Sequence, residues 1–158
     1  MSLTVRGQLA LFRGGIDNND AGPVVTIECK NTSGGALARG DVVVWDTTSN
    51  STADVISVTT TTSGNDVNVI GMVYDQSIAA NAIGQVQIWG PTRHLKVDGN
   101  TDIAIGDMLS TFTTAKIAQK STTGGRFARA MEGYTTNDSA GVIDAFITNL
   151  NLGAFSTE

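Results

Sequence analysis

Short runs of β-branched and apolar residues alternate along the chain with clusters of Gly, Asn, Asp and Ser, and the spacing typical of an amphipathic helix is almost absent. One short helical turn is predicted at Ser77–Asn81. The pattern predicts strands at Val24–Lys30, Asp41–Thr47, Asp54–Thr60, Asn68–Val73, Gly84–Trp89, Arg93–Val97, Met108–Thr111, Ala115–Ala118, Phe127–Glu132 and Val142–Thr148. Many short strands separated by turn signals indicate an all-β protein, a single compact β-barrel or β-sandwich domain with little helix.

One segment of this pattern occurs twice. The sequence LARGDVV (Leu37–Val43) returns as IAIGDML (Ile103–Leu109), 66 residues further along the chain. Each copy places a Gly-Asp pair, Gly40-Asp41 or Gly106-Asp107, directly before an apolar strand. Glycine adopts backbone conformations that other residues resist, and an aspartate can accept hydrogen bonds from nearby backbone N–H groups. We interpret both pairs as structural turns that open a strand in repeated β-hairpin units.

The first copy also contains Arg39-Gly40-Asp41, the tripeptide that many adhesion ligands present to integrins. The second copy keeps the glycine and the aspartate but has Ile105 where the first has Arg39. Because the repeat needs no arginine, the sequence favours a structural turn over an adhesion loop.

The two ends of the chain differ from this core. Residues 1–23 combine an apolar stretch with a turn-rich segment, GGIDNNDAGP, and they predict either an N-terminal arm that pairs with the sheet of another chain or a first strand of the barrel. Residues 24–148 are assigned to the barrel or sandwich domain, and residues 149–158 to a C-terminal tail that is open to the same two interpretations. The apolar residues of the arm are Leu3, Val5, Leu9, Leu11 and Phe12.

Composition narrows the class of protein. The chain has 158 residues, 41% of them hydrophobic and 16% charged, and its net charge is −5. Direct nucleic-acid binding needs a basic face, which this balance does not predict. No apolar run approaches the length of a membrane span and the first residues do not form a signal peptide, so we expect synthesis in a cytoplasm without membrane attachment.

Candidate catalytic residues are few. The chain has one histidine, His94, and one cysteine, Cys29, so these ligand types cannot build a closed zinc centre and no intrachain disulfide can form. Cys29 lies in a strand-like context and is predicted to be a buried small apolar residue. The nucleophile motif G-x-S-x-G does not occur. We therefore expect neither an enzyme nor a cofactor.

A calcium site is the strongest metal candidate. The spacing of Asp98, Asn100 and Asp102 matches that of the first three ligands, at positions 1, 3 and 5, of an EF-hand loop. However, Ile103 stands where that loop needs glycine, and Leu109 stands where it needs glutamate. A hairpin turn at Asp98-Gly99 is therefore favoured, and a weak calcium site is left open.

The aromatic residues Trp45, Tyr74, Trp89 and Tyr134 could form a carbohydrate-binding platform. Both tryptophans follow apolar strand runs, however, and this position favours a role in the core or at a subunit interface.

The order of segments resembles a known family. It runs GGALARGDVVVWD, VIGMVYDQSIAANAIGQVQIWG, VDGNTDIAIGDMLSTFTTAKIAQ and GGRFARAMEGYTTNDSAGVIDAFI, covering about Gly34 to Ile147. This pattern of small apolar repeats resembles the small β-barrel capsid decoration (cement, or head-stabilising) proteins of tailed bacteriophages.

The resemblance implies a non-enzymatic structural protein of the virion. Members of that family bind the outer surface of the expanded head, commonly as homotrimers, and stabilise contacts between major capsid proteins. Their N-terminal arm often adds a strand to the capsid protein, a role that falls here, by position, on Leu3, Val5, Leu9, Leu11 and Phe12. Two alternatives stay open: another virion part such as a tail, fibre or vertex protein, or a carbohydrate- or receptor-binding β-module.

Overall fold

The computed structural model describes residues 23–49, 51–52, 55–121 and 123–148. Nine strands of this part form one sheet, two short strands form a second, and the described residues contain no helix, which confirms the predicted all-β class. No helix that could span a membrane is found in the described ranges. The strands are β1 Val25–Asn31, β2 Leu37–Ala38, β3 Val42–Trp45, β4 Ile56–Thr59, β5 Val69–Val73, β6 Ser77–Ile78, β7 Ile83–Val97, β8 Met108–Thr111, β9 Ala118–Lys120, β10 Ala128–Ala130 and β11 Gly141–Ile147.

The large sheet closes into two rings of five strands that share β7. The first ring runs β1-β4-β3-β5-β7 and closes because β7 pairs again with β1. The second runs β7-β11-β10-β8-β9 and closes through one parallel pair, Val97 with Ala118. Closure leaves each ring strand with a neighbour on both sides, which removes the open edges that promote unwanted strand pairing.

The second ring repeats the pairing of the first. Three antiparallel pairings of the first ring have equivalents in the second: β3–β4 corresponds to β8–β9, β3–β5 to β8–β10, and β5–β7 to β10–β11. The parallel pairing β1–β4 corresponds to the parallel pairing β7–β9. Even the small β2–β6 sheet has a counterpart, the bridge between Ile103 and Tyr134. The repeated sequence motif therefore marks a repeated structural unit of five ring strands and one short additional pairing rather than a single hairpin.

Strand β7 is continuous where the sequence predicted two strands, Gly84–Trp89 and Arg93–Val97, with a gap at residues 90–92. Gly90 has a φ of 105°, which bends the strand, and Pro91 still lies opposite Phe146 of β11. The half before Gly90 belongs to the first ring and the half after it to the second. The prediction of a break was wrong because the Gly-Pro pair redirects the strand from one ring into the next.

Each ring contains its own apolar core with a contribution from every strand. The first core includes Cys29, Val43, Val58, Val73 and Val86, all buried. The second core includes Leu95, Leu109, Ala118, Ala128 and Ile143, together with the fully buried Phe127. Alternate residues of β3 and β5, such as Val42 and Met72, join the second core, so both faces of these two strands are covered by the protein. This two-sided burial explains their continuous apolar runs.

Three local predictions are corrected by the structure. The strand predicted at Ala115–Ala118 begins at Ala118 instead, because Lys116 has a φ of 76° and forms a turn. Ser77–Asn81 is not a helical turn, since Ser77–Ile78 pairs with β2. The turn at Asp98-Gly99 does not form a hairpin, because β7 and β8 do not pair with each other.

Candidate docking surface

Both ends of the described chain lie beside Gly90, at the bend in β7. The carbonyl oxygen of Pro23 approaches Gly90 so closely that an added Cβ there would lie 2.5 Å from it. Ile147, the last residue of β11, is paired with Gly90. The described chain therefore begins and ends at the junction of the two rings.

An aromatic pair, the exposed Trp89 and the half-buried Phe146, lies at the same junction. The aromatic side chains of Trp89 and Phe146 meet edge to face, with their ring centroids 5.1 Å apart and their planes at 86°. Trp89 is 43% exposed, although aromatic residues of this size are usually well covered. Aromatic side chains are enriched at the centre of protein interfaces. We refer to Trp89 and Phe146 as the aromatic patch.

The predicted capsid-contact residues Leu3, Val5, Leu9, Leu11 and Phe12 lie outside the described residues.

Neither tryptophan is in the core. The sequence favoured a role in the core or at a subunit interface, and the structure corrects the first of these two alternatives. Trp45 at the end of β3 and Trp89 in the middle of β7 are each 43% exposed. The apolar runs before them correctly predicted strands, but each strand carries its tryptophan to the surface. Phe146 was not identified from the sequence, because its contact with Trp89 depends on the register between β7 and β11.

The two Gly-Asp pairs form turns of the same geometry. Gly40 and Gly106 have φ values of 85° and 90°. A carboxylate oxygen of Asp41 accepts a hydrogen bond from the Ala38 N–H at 2.9 Å, and Asp107 accepts one from the Ala104 N–H at 2.8 Å. Each aspartate closes its turn and fixes the direction of the strand that follows.

Lysine side chains pair with both turn aspartates. Lys96 forms an ion pair with Asp41, and the Nζ of Lys116 lies 3.7 Å from the other carboxylate oxygen. Lys120 is 2.9 Å from Asp107, and its hydrogen bond lowers the pKa of that carboxyl group below the ordinary value. Because the Asp41 side chain is only 2% exposed, the Arg39-Gly40-Asp41 tripeptide does not present its carboxylate to solvent as an adhesion ligand would.

The histidine and the cysteine considered for catalysis or zinc binding lie in different parts of the structure. His94 lines a shallow depression of about 260 Å³ with Arg39, Gln76, Lys96 and Val142, and none of the described residues that line it carries a carboxylate. Cys29 is buried in the first core, where burial raises the pKa of its thiol to about 12.

The calcium candidates form a self-contained turn. Asp98 is 2% exposed and accepts hydrogen bonds from the backbone and side-chain amides of Asn100, while Asp102 faces solvent. In the described part of the chain no group of three or more His, Cys, Asp or Glu side chains could hold a metal ion.

Comparison with known proteins finds similarity in structure but not in sequence. No protein-family model matches the chain. No curated protein sequence matches it either. Among solved structures, the chain is similar to the N base of head fiber gp8.5 in bacteriophage phi29, with a TM-score of 0.52 and 16% identity over 80% of this chain and 95% of that one. At this identity the likeness concerns the fold.

Proposed function

We propose that the protein is a structural component of a bacteriophage virion and, within that class, a capsid decoration protein. It binds the outer surface of the expanded head and stabilises contacts between major capsid proteins, without enzymatic activity. The observation that carries this proposal is the fold likeness to the phi29 head fiber base, which extends over 95% of that chain. The resemblance of the repeated Gly-Asp segments to phage decoration proteins supports the same class.

The structure suits attachment through the aromatic patch and the N-terminal arm. Since the ring strands already have two neighbours, the domain has few free edges to which a partner could add a strand. A strand shared with the shell would therefore come from the arm, which would pair with an edge of the capsid protein. The aromatic patch would supply a side-chain contact at the base of that arm.

The proposed partners are the major capsid protein and further copies of this chain, as a homotrimer on the shell. Many identical attachment sites on one shell make modest individual contacts sufficient when several copies bind together. The net charge of −5 is small for 158 residues, so neighbouring copies repel each other little.

The proposal is tested by the amount of this protein in purified virions of the phage that encodes it. Gel densitometry gives its molar ratio to the major capsid protein, and a ratio near one is expected for a cement that covers the lattice. If the protein is missing from virions, the virion function is wrong.

A second candidate, a fibre, tail or vertex protein, is favoured by one specific observation. The similar solved structure is described as the base of a head fiber. A few copies per particle in the same measurement would favour this candidate over a lattice-wide cement.

A further inference from the structure

A polar depression of about 360 Å³ lies beside Trp45, on a part of the first ring that the proposed docking surface does not use. Its walls come from the end of β3, the loop after it, and the segments around residues 59–61 and 66–68. Most of its lining residues are threonine or serine. The volume is at the lower end of the range of about 300–1,000 Å³ that is common for small-ligand sites.

Trp45 contributes an apolar surface to a lining that is otherwise polar. Its side chain is 43% exposed, and apart from it Val44 is the apolar residue that lines the depression. Trp89 has the same exposure but packs against another aromatic ring. An indole beside hydroxyl groups offers a flat face for apolar C–H groups and polar partners at its edge.

Two aspartates hold the loops of the depression in place. Asp46 accepts hydrogen bonds from the Thr32 hydroxyl at 2.6 Å and the Thr48 N–H at 2.9 Å. Asp66 accepts them from the Thr61 hydroxyl at 2.8 Å and the Asn68 N–H at 2.9 Å. Hydrogen bonds from Ser49, Thr32 and Thr48 hold the pKa of Asp46 far below its ordinary value, so this carboxylate is charged at neutral pH. The described segments that carry Asp46 and Asp66 are therefore held by internal hydrogen bonds before any ligand arrives.

The charges of the depression select against anions. Among the described residues that line it, the two charged ones, Asp46 and Asp66, are negative and none is Lys, Arg or His. A phosphate, an acidic sugar or an acidic peptide would be repelled. An uncharged ligand rich in hydroxyl groups would instead find hydrogen-bond partners in the side chains of Thr47, Thr60 and Asn68.

We propose that this depression binds a neutral saccharide, with one face of a sugar ring stacked on Trp45 and its hydroxyl groups bonded to the threonine side chains and to Asn68. A sugar ring has an apolar face of C–H groups and a polar rim of hydroxyl groups, which matches this combination of an indole and hydroxyl side chains. The site is independent of the virion function, because Trp45 belongs to no part of the docking surface.

The test is a titration of the full chain with chitotriose and with maltotriose, followed by tryptophan fluorescence and calorimetry. The chain has two tryptophans, so in the Trp89→Ala variant the fluorescence comes from Trp45 alone. We expect one of the two neutral sugars to bind with a millimolar or lower dissociation constant and to change this emission. Trp45→Ala should weaken binding about tenfold or more by calorimetry, and Trp89→Ala should leave it unchanged.

An acidic sugar, sialyllactose, serves as the counter-test and should bind more weakly than either neutral sugar. Circular dichroism checks that each variant is folded. If the Trp45→Ala variant does not fold, the Asn68→Ala variant takes its place. The proposal is wrong if neither neutral sugar binds, if sialyllactose binds best, or if the folded Trp45→Ala or Asn68→Ala variant binds like the parent protein. Attachment to capsids is measured separately, and Trp45→Ala should not affect it.

Discussion

Gly40 lies against the backbone carbonyl of His94, so close that a Cβ on Gly40 would be 1.9 Å from that oxygen. The contact joins the first Gly-Asp turn to the second half of β7. Gly106, its counterpart in the other turn, has a similar φ, but beyond its two chain neighbours no atom of the described residues lies within 4 Å of the position of an added Cβ. The two turns share a backbone conformation and differ in the space around it.

This difference predicts unequal effects of the same substitution. Gly106→Ala should reduce the free energy of unfolding by about 1 kcal/mol, the cost of a left-handed conformation for alanine. Gly40→Ala adds a backbone clash to that cost and should lose about 3 kcal/mol or more. Urea unfolding followed by circular dichroism measures both, and equal losses would show that the space around Gly40 does not matter.

The hydrogen bonds to Asp46 predict a loss of stability in acid. Its pKa in the folded protein is depressed, so the charged carboxylate stabilises the fold at neutral pH, and this stabilisation is lost as the pH falls below about 4. Asp46→Asn should therefore cost about 1 kcal/mol at pH 7, and this difference from the parent protein should shrink towards pH 2. The exposed Asp102, replaced by Asn, is the matched control and should have little effect at either pH. An Asp46→Asn effect that is constant over this range would contradict the assignment.

The thiol of Cys29 should be a reporter of opening of the first ring. The residue is fully buried, and burial raises the pKa of the thiol to about 12, so little reactive thiolate exists at pH 8. We expect a thiol reagent such as 5,5′-dithiobis(2-nitrobenzoic acid) to label the native protein only as fast as the ring opens, and the urea-unfolded protein at once. Rapid labelling of the native protein would mean that the first core is accessible.

The docking surface predicts which changes weaken binding to the shell. Deleting residues 2–12 should leave the domain folded but reduce co-sedimentation with capsids that lack the protein. Trp89→Ala should also reduce co-sedimentation. If the Trp89 side chain is an interface anchor, the affinity for the capsid should fall about tenfold. Trp45→Ala, with equal exposure, is the control. Undiminished binding of the truncated protein, or its unfolding, would rule out the arm.

Much of the fold was predictable because local sequence and tertiary structure agree at many strands. β8 has its predicted bounds, Met108–Thr111, and the repeat of Gly40-Asp41 at Gly106-Asp107 correctly indicated two similar units. Strands that depend on distant partners were not predictable in this way. β2 and β6 have two residues each and exist because they pair with each other.

The strand predicted at Ala115–Ala118 was misplaced for the same reason, a contact with a residue that is distant in the sequence. The carbonyl of Lys116 accepts a hydrogen bond from the Val42 N–H at 2.9 Å, a contact between the two repeated units that holds Lys116 in a turn. Nothing in the neighbouring sequence indicates this bond. The aromatic patch was likewise not predictable, since apolar runs before Trp89 do not reveal which side of β7 is covered or that Phe146 is its neighbour.

The shared strand β7 gives the domain a mechanical property. Pro23, the first described residue, and Ile147, one residue before the last, both lie beside Gly90, in the middle of the strand that belongs to both rings. A force that pulls the two ends apart would therefore pass from β1 through β7 into β11, and it would first load the pairs Val25–Trp89 and Ile147–Gly90. These two pairs are adjacent along β7, so the remaining strands of both rings lie outside the direct path of the force.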